Sequence, residues 1–422
     1  MKYIKYIFNN FEKVFTLILY LNPILDLSAG VMLHYNYSIT LSSIVRLSFM
    51  FLCIIYLIFI IKNRKINTYL AILFGYFLLF FLVILITKGT PALGYELKNL
   101  ITTYYFVIVF LSLIALYKNK KFNVHNLFII YFIYLILVFI PNIFNIGFNS
   151  YYESKEGSAG WFKSANVIGS ILSIILPLII LCIKKINLKL VIMLFINLYV
   201  ILSIGTKVPV LSFILIIGIN LLYYLIILFK KRKYKTMFII IFPIILVMSA
   251  SILIFPKTSF YKNIKIHINY LEKKDKGHIS TNHIIDHFIF SQRLTFLNKT
   301  KKTYNNSSIL EKIFGIGYIE NYSTDKVSLK TIEIDYFDIY YRHGIVGFII
   351  FFTPIIIVLK NIFKNIKYKG IKKLNIILSI ILIFVLAFFQ GHILINPSNS
   401  IFVCLIIALT YNNSFQFKNS FK

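Results

Sequence analysis

Glu333, Asp335 and Asp338 stand close together in Thr-Ile-Glu-Ile-Asp-Tyr-Phe-Asp-Ile-Tyr-Tyr-Arg-His-Gly-Ile-Val-Gly-Phe, where a polar stretch passes into a long apolar run. A charged side chain at the centre of a bilayer costs about 2.5–3.5 kcal/mol. Acids leading into such a run therefore face protein or an aqueous opening in preference to lipid. On a helix Asp335 and Asp338, three residues apart, share a face. Two carboxylates so placed raise each other's proton affinity, which suits a general base or a cation site. The plainer reading is interfacial pairing with Arg342 or with loop lysines. Asp335 is the expected base, with Glu333 orienting substrate and Asp338 beside them.

Basic and polar residues supply the complementary chemistry. Arg293, in Ser-Gln-Arg-Leu-Thr-Phe-Leu, is the only arginine between residues 256 and 332 of a chain that otherwise uses lysine for nearly all its positive charge. A planar guanidinium clamps phosphate or carboxylate at two points, which a lysine cannot do. Lys207 lies at a break between two apolar runs, flanked by Gly205 and Pro209; it can contact a lipid phosphate or snorkel to headgroups. Asn166, in Gly-Trp-Phe-Lys-Ser-Ala-Asn-Val-Ile-Gly, can hydrogen-bond a sugar or another helix, and His392 in Gln-Gly-His-Ile-Leu-Ile-Asn-Pro ends another run. His283 and His287 have i, i+4 spacing beside Asp286, but no HExxH motif or third ligand accompanies them, so no metal site is expected. Asp26 and Arg46 are opposite charges in neighbouring apolar runs, and they are expected to pair as a structural lock. Cys53, Cys182 and Cys404 show no metal or disulfide spacing.

These residues need a membrane scaffold. The 422 residues are 59% hydrophobic and only 14% charged, with a mean hydropathy of +0.81, too apolar for a surface that faces water. Runs near the roughly 20 residues that a helix needs to span a bilayer recur from end to end. Spans are predicted near 14–32, 40–61, 68–87, 100–117, 126–146, 164–183, 190–205, 208–229, 236–255, 334–359, 374–391 and 399–411. The last is short enough to tilt or to be re-entrant. The first lacks a small-residue cleavage site, so it reads as a span and not a removable signal. The expected fold is all-α: a polytopic integral membrane protein of about twelve transmembrane helices, a single membrane domain over 1–422.

The net charge of +31 is dispersed between the apolar runs and reads as topology, not as nucleic-acid binding. Lysines precede the first span and follow every even-numbered one, at 62–65, 118–121, 184–189, 230–233, 360–373 and 418–422; of the 14 acids only Glu12 lies in these segments. The positive-inside rule then puts both termini in the cytoplasm, with anionic membrane lipids as partners of the lysines. The opposite face carries one long loop, about 256–332, where acids, histidines and Arg293 mix with apolar residues. One or two amphipathic helices are expected there, lying over the membrane face. The two halves show no internal repeat, as a transporter commonly would, so a membrane-embedded enzyme fits better than a flippase or transporter.

The order Gly-Trp-Phe-Lys-Ser-Ala-Asn, Gly-Thr-Lys, Ser-Gln-Arg, Phe-Gly-Ile-Gly-Tyr, then Glu-Ile-Asp-Tyr-Phe-Asp and His-Gly-Ile-Val-Gly resembles the O-antigen ligase and polymerase family over roughly residues 150–400. Asn-Pro-Ile-Leu-Asp at 22–26 and Tyr-Glu-Leu-Lys at 95–98 resemble its capsular and exopolysaccharide polymerase branch. The resemblance implies an inverting, metal-independent, GT-C-like glycosyltransferase that needs no cofactor. Its implied donor is a polyprenyl diphosphate-linked oligosaccharide, and a chain-length regulator and a flippase would be further partners. Lys207 and Arg293 match the family's two basic sites, the first more often arginine. Ligases tend to carry histidine before the late span, where this chain has Glu333 or Asp335. That departure favours a polymerase acting on the outer face of the cytoplasmic membrane, with a ligase as the alternative, and leaves open which acid is the base.

Overall fold

The computed structural model describes residues 8, 10–37, 39–149, 156–182, 188–238, 255–274, 286, 289–319 and 330–417. In hydrocarbon a backbone must satisfy its own hydrogen bonds, and the apolar runs are accordingly helices: α1 Phe11–His34, α2 Leu41–Ile55 with a π-helical end Tyr56–Ile61, α3 Arg64–Lys88, α4 Leu93–Leu116, α5 Val124–Ile143, α6 Ala165–Ile180, α7 Leu188–Ile204 and α8 Lys207–Lys230. Among the described residues of the long loop three helices follow, α9 Ser259–Lys274, α10 Arg293–Asn305 and α11 Ile309–Phe314. The chain then returns through α12 Asp335–Asn365, α13 Gly370–Phe389 and α14 Pro397–Tyr411. Among the described residues, 8 helices are long and apolar enough to cross a membrane, and shorter apolar helices stand at Ala165–Ile180, Ile192–Ile204 and Pro397–Tyr411. Each predicted span coincides with a helix except 236–255, most of which lies outside the described residues.

Two faces are distinguishable. At one, strand β1 Phe122–Asn123 pairs in parallel with β2 Phe415–Gln416, and Lys120 meets Glu12 at 3.2 Å. The start of α1, the connection between α4 and α5 and the segment after α14 thus share a face, as the lysine pattern requires. Helix α14 runs from there to the opposite face, packed along α4, α6 and α12. All its residues from Ser398 to Thr410 are buried. At 15 residues it is about 22 Å long, short of a hydrocarbon core, and being enclosed by protein it need not match one.

The predicted lock is present. Arg46 and Asp26 are 2.6 Å apart, and Asp26 also accepts from Tyr134 and Ser398, each at 2.6 Å. One carboxylate therefore joins α1, α2, α5 and the start of α14. Removing one partner of a buried pair costs about 3–5 kcal/mol, because the other charge is left uncompensated. Asp26→Ala is thus expected to lower the Tm of the detergent-purified protein clearly; an unchanged melting curve would contradict this account of the lock.

Helix α9 fits the amphipathic expectation. Its Asn263 donates to the carbonyls of Gly205 and Glu156 at 2.9 and 2.6 Å, seating the helix on the turn between α7 and α8. The described part of the loop holds three helices where one or two were expected; α10 and α11 are set against α12.

Candidate active site

The site is built on a stretch of backbone gripped by buried charges. Lys88, closing α3, donates to the carbonyls of Ile316 and Ile319. Glu96, in the first turn of α4, accepts from the amides of Tyr318 and Ile319 at 2.6 and 3.0 Å. Arg342 donates to Gly317 O at 3.2 Å and to Lys330 O at 3.1 Å. The amides of Ile316 and Gly317 donate to Tyr341 O and Arg342 O, both at 3.1 Å. This close pairing breaks α12 at Gly344, whose φ is 67°; a Cβ there would strike Ile313 O and Gly315 N, so only glycine fits. The predicted tenth span is therefore a short helix, a break and then a longer one. Lys88 and Glu96 were not singled out for chemistry in the sequence; charges at the ends of apolar runs were the available signal.

That frame delivers three acids into three different surroundings. Asp338 accepts from the amides of Ile332 and Glu333 at 3.0 and 2.8 Å, with Arg342 Nε 3.9 Å away. Asp335 accepts from the amides of His392, Ile393 and Leu394 at 2.6, 2.8 and 2.7 Å. Gly391 and His392 have φ of 65° and 58°, a left-handed pair that turns successive N–H groups inward as an anion-binding nest. Asp335 is the anion in it. Both aspartates are 0% exposed. Asp335 and Asp338 share the first turn of α12, and each carboxylate accepts from backbone amides of a different segment.

Glu333 is placed differently. Its Oε2 receives Arg293 Nη2 at 3.0 Å and Nε at 3.3 Å, and its Oε1 lies 3.9 Å from His392 Nε2. Arg293 Nη1 donates to Phe389 O. The side chains of Glu333 and His392 are 30% and 26% exposed, that of Arg293 8%, so the carboxylate and imidazole are the members that reach an opening. Burial pushes the Glu333 carboxyl up, but the facing His392 and Arg293 outweigh it and hold it at about 2. Burial pushes the His392 imidazole down, and the Glu333, Asp335 and Asp338 carboxylates outweigh that and raise it. Glu333 is thus ionised at any physiological pH, a carboxylate held between an arginine and a histidine whose protonated form is favoured.

Arg293 owes its position to its own helix. It is the first residue of α10, and Asp286 caps that helix by accepting from Leu294 N at 2.8 Å and Thr295 N at 3.1 Å. His278, His283 and His287 lie outside the described residues, and Asp286 serves as this cap. Among the described residues no group of three or more His, Cys, Asp or Glu side chains is arranged to hold a metal.

Asn166 joins the assembly through its backbone. Its carbonyl accepts from Gln390 at 2.7 Å and Ser170 at 2.9 Å. Asn399 bridges Ser170 and the His392 carbonyl at 2.9 and 2.7 Å. Lys207, half-buried, opens α8 alongside α6, where Pro209 lies against Gly169. Gln390 and Asn399 are site-forming residues that sequence reasoning passed over, since a lone amide in an apolar run carries no distinguishing pattern.

One sequence family, described as O-antigen ligase like membrane protein, has a model that matches residues 8–284 and 278–412. Every residue of the assembly falls within that match. No curated protein matches the chain.

Proposed function

Given that the chain belongs to the O-antigen ligase like membrane protein family, we propose that it is a membrane glycosyltransferase of polysaccharide assembly and, within the family, a repeat-unit polymerase. The observation that carries the reading is the partly exposed Glu333 set between Arg293 and His392. The donor is a glycan on a polyprenyl diphosphate, and the acceptor is a sugar hydroxyl on a second lipid-linked unit. The hydroxyl oxygen attacks C1 of the donor sugar on the side opposite the diphosphate. The C1–O bond to phosphate breaks with its electron pair leaving on the diphosphate, and C1 inverts. The hydroxyl proton passes to Glu333, the exposed member of the three acids. Arg293 and His392 hold the charge that develops on the leaving group, with Lys207 as a further basic contact along its path. Asp335 and Asp338 position the backbone of His392 and Glu333 and do not touch substrate.

The site lies at the face opposite the β1–β2 pair and its lysines, which supports an extracytoplasmic site on the cytoplasmic membrane. Acids collected at that face, with few at mid-depth, argue against a transporter. The histidine beside Glu333 favours one second reading, a ligase, which would run the same bond chemistry on a different acceptor. Gene deletion followed by glycan analysis separates the two. A polymerase is expected to leave a single repeat unit; long chains retained on carrier lipid would identify a ligase.

A further inference from the structure

The subsite assigned to the donor diphosphate already holds an anion, a side chain of the protein itself. Glu333 takes two nitrogens of Arg293, at 3.0 and 3.3 Å, through one oxygen, and turns the other toward His392. The third guanidinium nitrogen is spent on Phe389 O. Arginine receives carboxylate and phosphate through the same planar fork, so one group at this position excludes the other. We propose that Glu333 fills the diphosphate subsite in the resting enzyme, that donor phosphate displaces it from Arg293 and His392, and that this exchange frees the carboxylate to accept the acceptor's proton. This rests on the functional reading above, in which Arg293 and His392 hold the phosphates.

Three features support an exchange in which the carboxylate moves and the arginine stays. Arg293 is buried, and its Nη1 is anchored on the Phe389 carbonyl, a contact the exchange leaves intact. The backbone of Glu333 is fixed, its amide on Asp338 and its carbonyl pressed on Gly391. Its side chain is the more exposed of the pair, 30% against 8% for Arg293. The exchange makes and breaks no covalent bond: an arginine–carboxylate pair becomes an arginine–phosphate pair. While Arg293 and His392 face it, the carboxylate is a weak proton acceptor. Phosphate seated in its place removes them and adds negative charge, which raises its proton affinity. The base thus gains strength only when a donor is bound.

The test is binding of inorganic pyrophosphate, without divalent metal, to wild-type protein and variants in lipid nanodiscs, followed by calorimetry. Glu333→Gln and Glu333→Ala are expected to bind about tenfold tighter than wild type, equivalent to about 1.4 kcal/mol, although neither makes product. Glu333→Asp, which keeps the charge with a shorter reach, should fall between, and Arg293→Ala should bind more weakly than wild type. Unchanged or weaker binding by Glu333→Ala and Glu333→Gln, with elution as monodisperse as wild type, overturns the inference alone. Should one of these variants aggregate, Glu333→Asp binding no tighter than wild type overturns it equally. Failure of wild type and every variant to bind pyrophosphate removes the phosphate-holding reading of Arg293 and His392, and the inference with it.

Discussion

Cells whose only copy carries Arg293→Ala are expected to make about 10²–10³-fold less polymer, the loss typical of removing one preorganised donor from a developing anion. The amount of inserted protein should stay near wild type. Arg293 begins α10, and the cap that starts this helix belongs to Asp286, so the helix does not depend on the guanidinium. The Glu333 carboxylate left behind keeps His392 at 3.9 Å and its own exposure to water, which limits the cost to folding. Arg293→Lys should recover only part of the activity. A lysine restores the charge but offers a point where the guanidinium offers a fork, and it cannot reach Glu333 or phosphate and the Phe389 carbonyl together. Polymer of wild-type length from Arg293→Ala cells would remove Arg293 from the mechanism.

What the sequence made legible follows from where physics leaves few choices. Lipid admits only self-satisfied backbone, so the helices α1 to α8 and α12 to α14 lie within a few residues of the predicted spans. Asp26 and Arg46 were legible as a pair, since opposite charges in adjacent apolar runs have little else to meet. Arg293 stood out because an arginine appears where the chain habitually spends lysine. The partners of the acids were not legible. Spacing three apart puts Asp335 and Asp338 on one helical face, but their partners are amides at 392–394 and 332–333, and nothing in an i, i+3 pattern reports backbone arriving from 57 residues away. The grip of Lys88, Glu96 and Arg342 on residues 316–319 was hidden for the same reason: each charge meets backbone, which carries no residue-type signal. The break at Gly344 was masked by an unbroken apolar run after it, although Gly315 and Gly317 in the quoted motif are the chain that packs against it.

Asp335→Asn distinguishes a positioning acid from a base more sharply than any activity measurement alone. The carboxylate accepts His392 N on one oxygen and Ile393 N and Leu394 N on the other. An asparagine has one oxygen, and its NH2 must point a donor at an amide that is itself a donor. At a fully buried site this loses one or two charge-assisted bonds, worth about 1.5–3 kcal/mol each, and leaves an amide unpaired. The 391–394 turn should loosen, carrying His392 out of place. Asp335→Asn is therefore expected to lower Tm together with polymer formation, by about 3 kcal/mol of stability in total. Glu333→Gln should behave in the opposite way, keeping Tm near wild type while abolishing polymer, because its side chain is partly exposed and retains hydrogen-bonding atoms for Arg293. If Asp335→Asn folds as stably as wild type and is inactive, the amides at 392–394 do not depend on the charge. Asp335, and not Glu333, would then be the group that takes the proton.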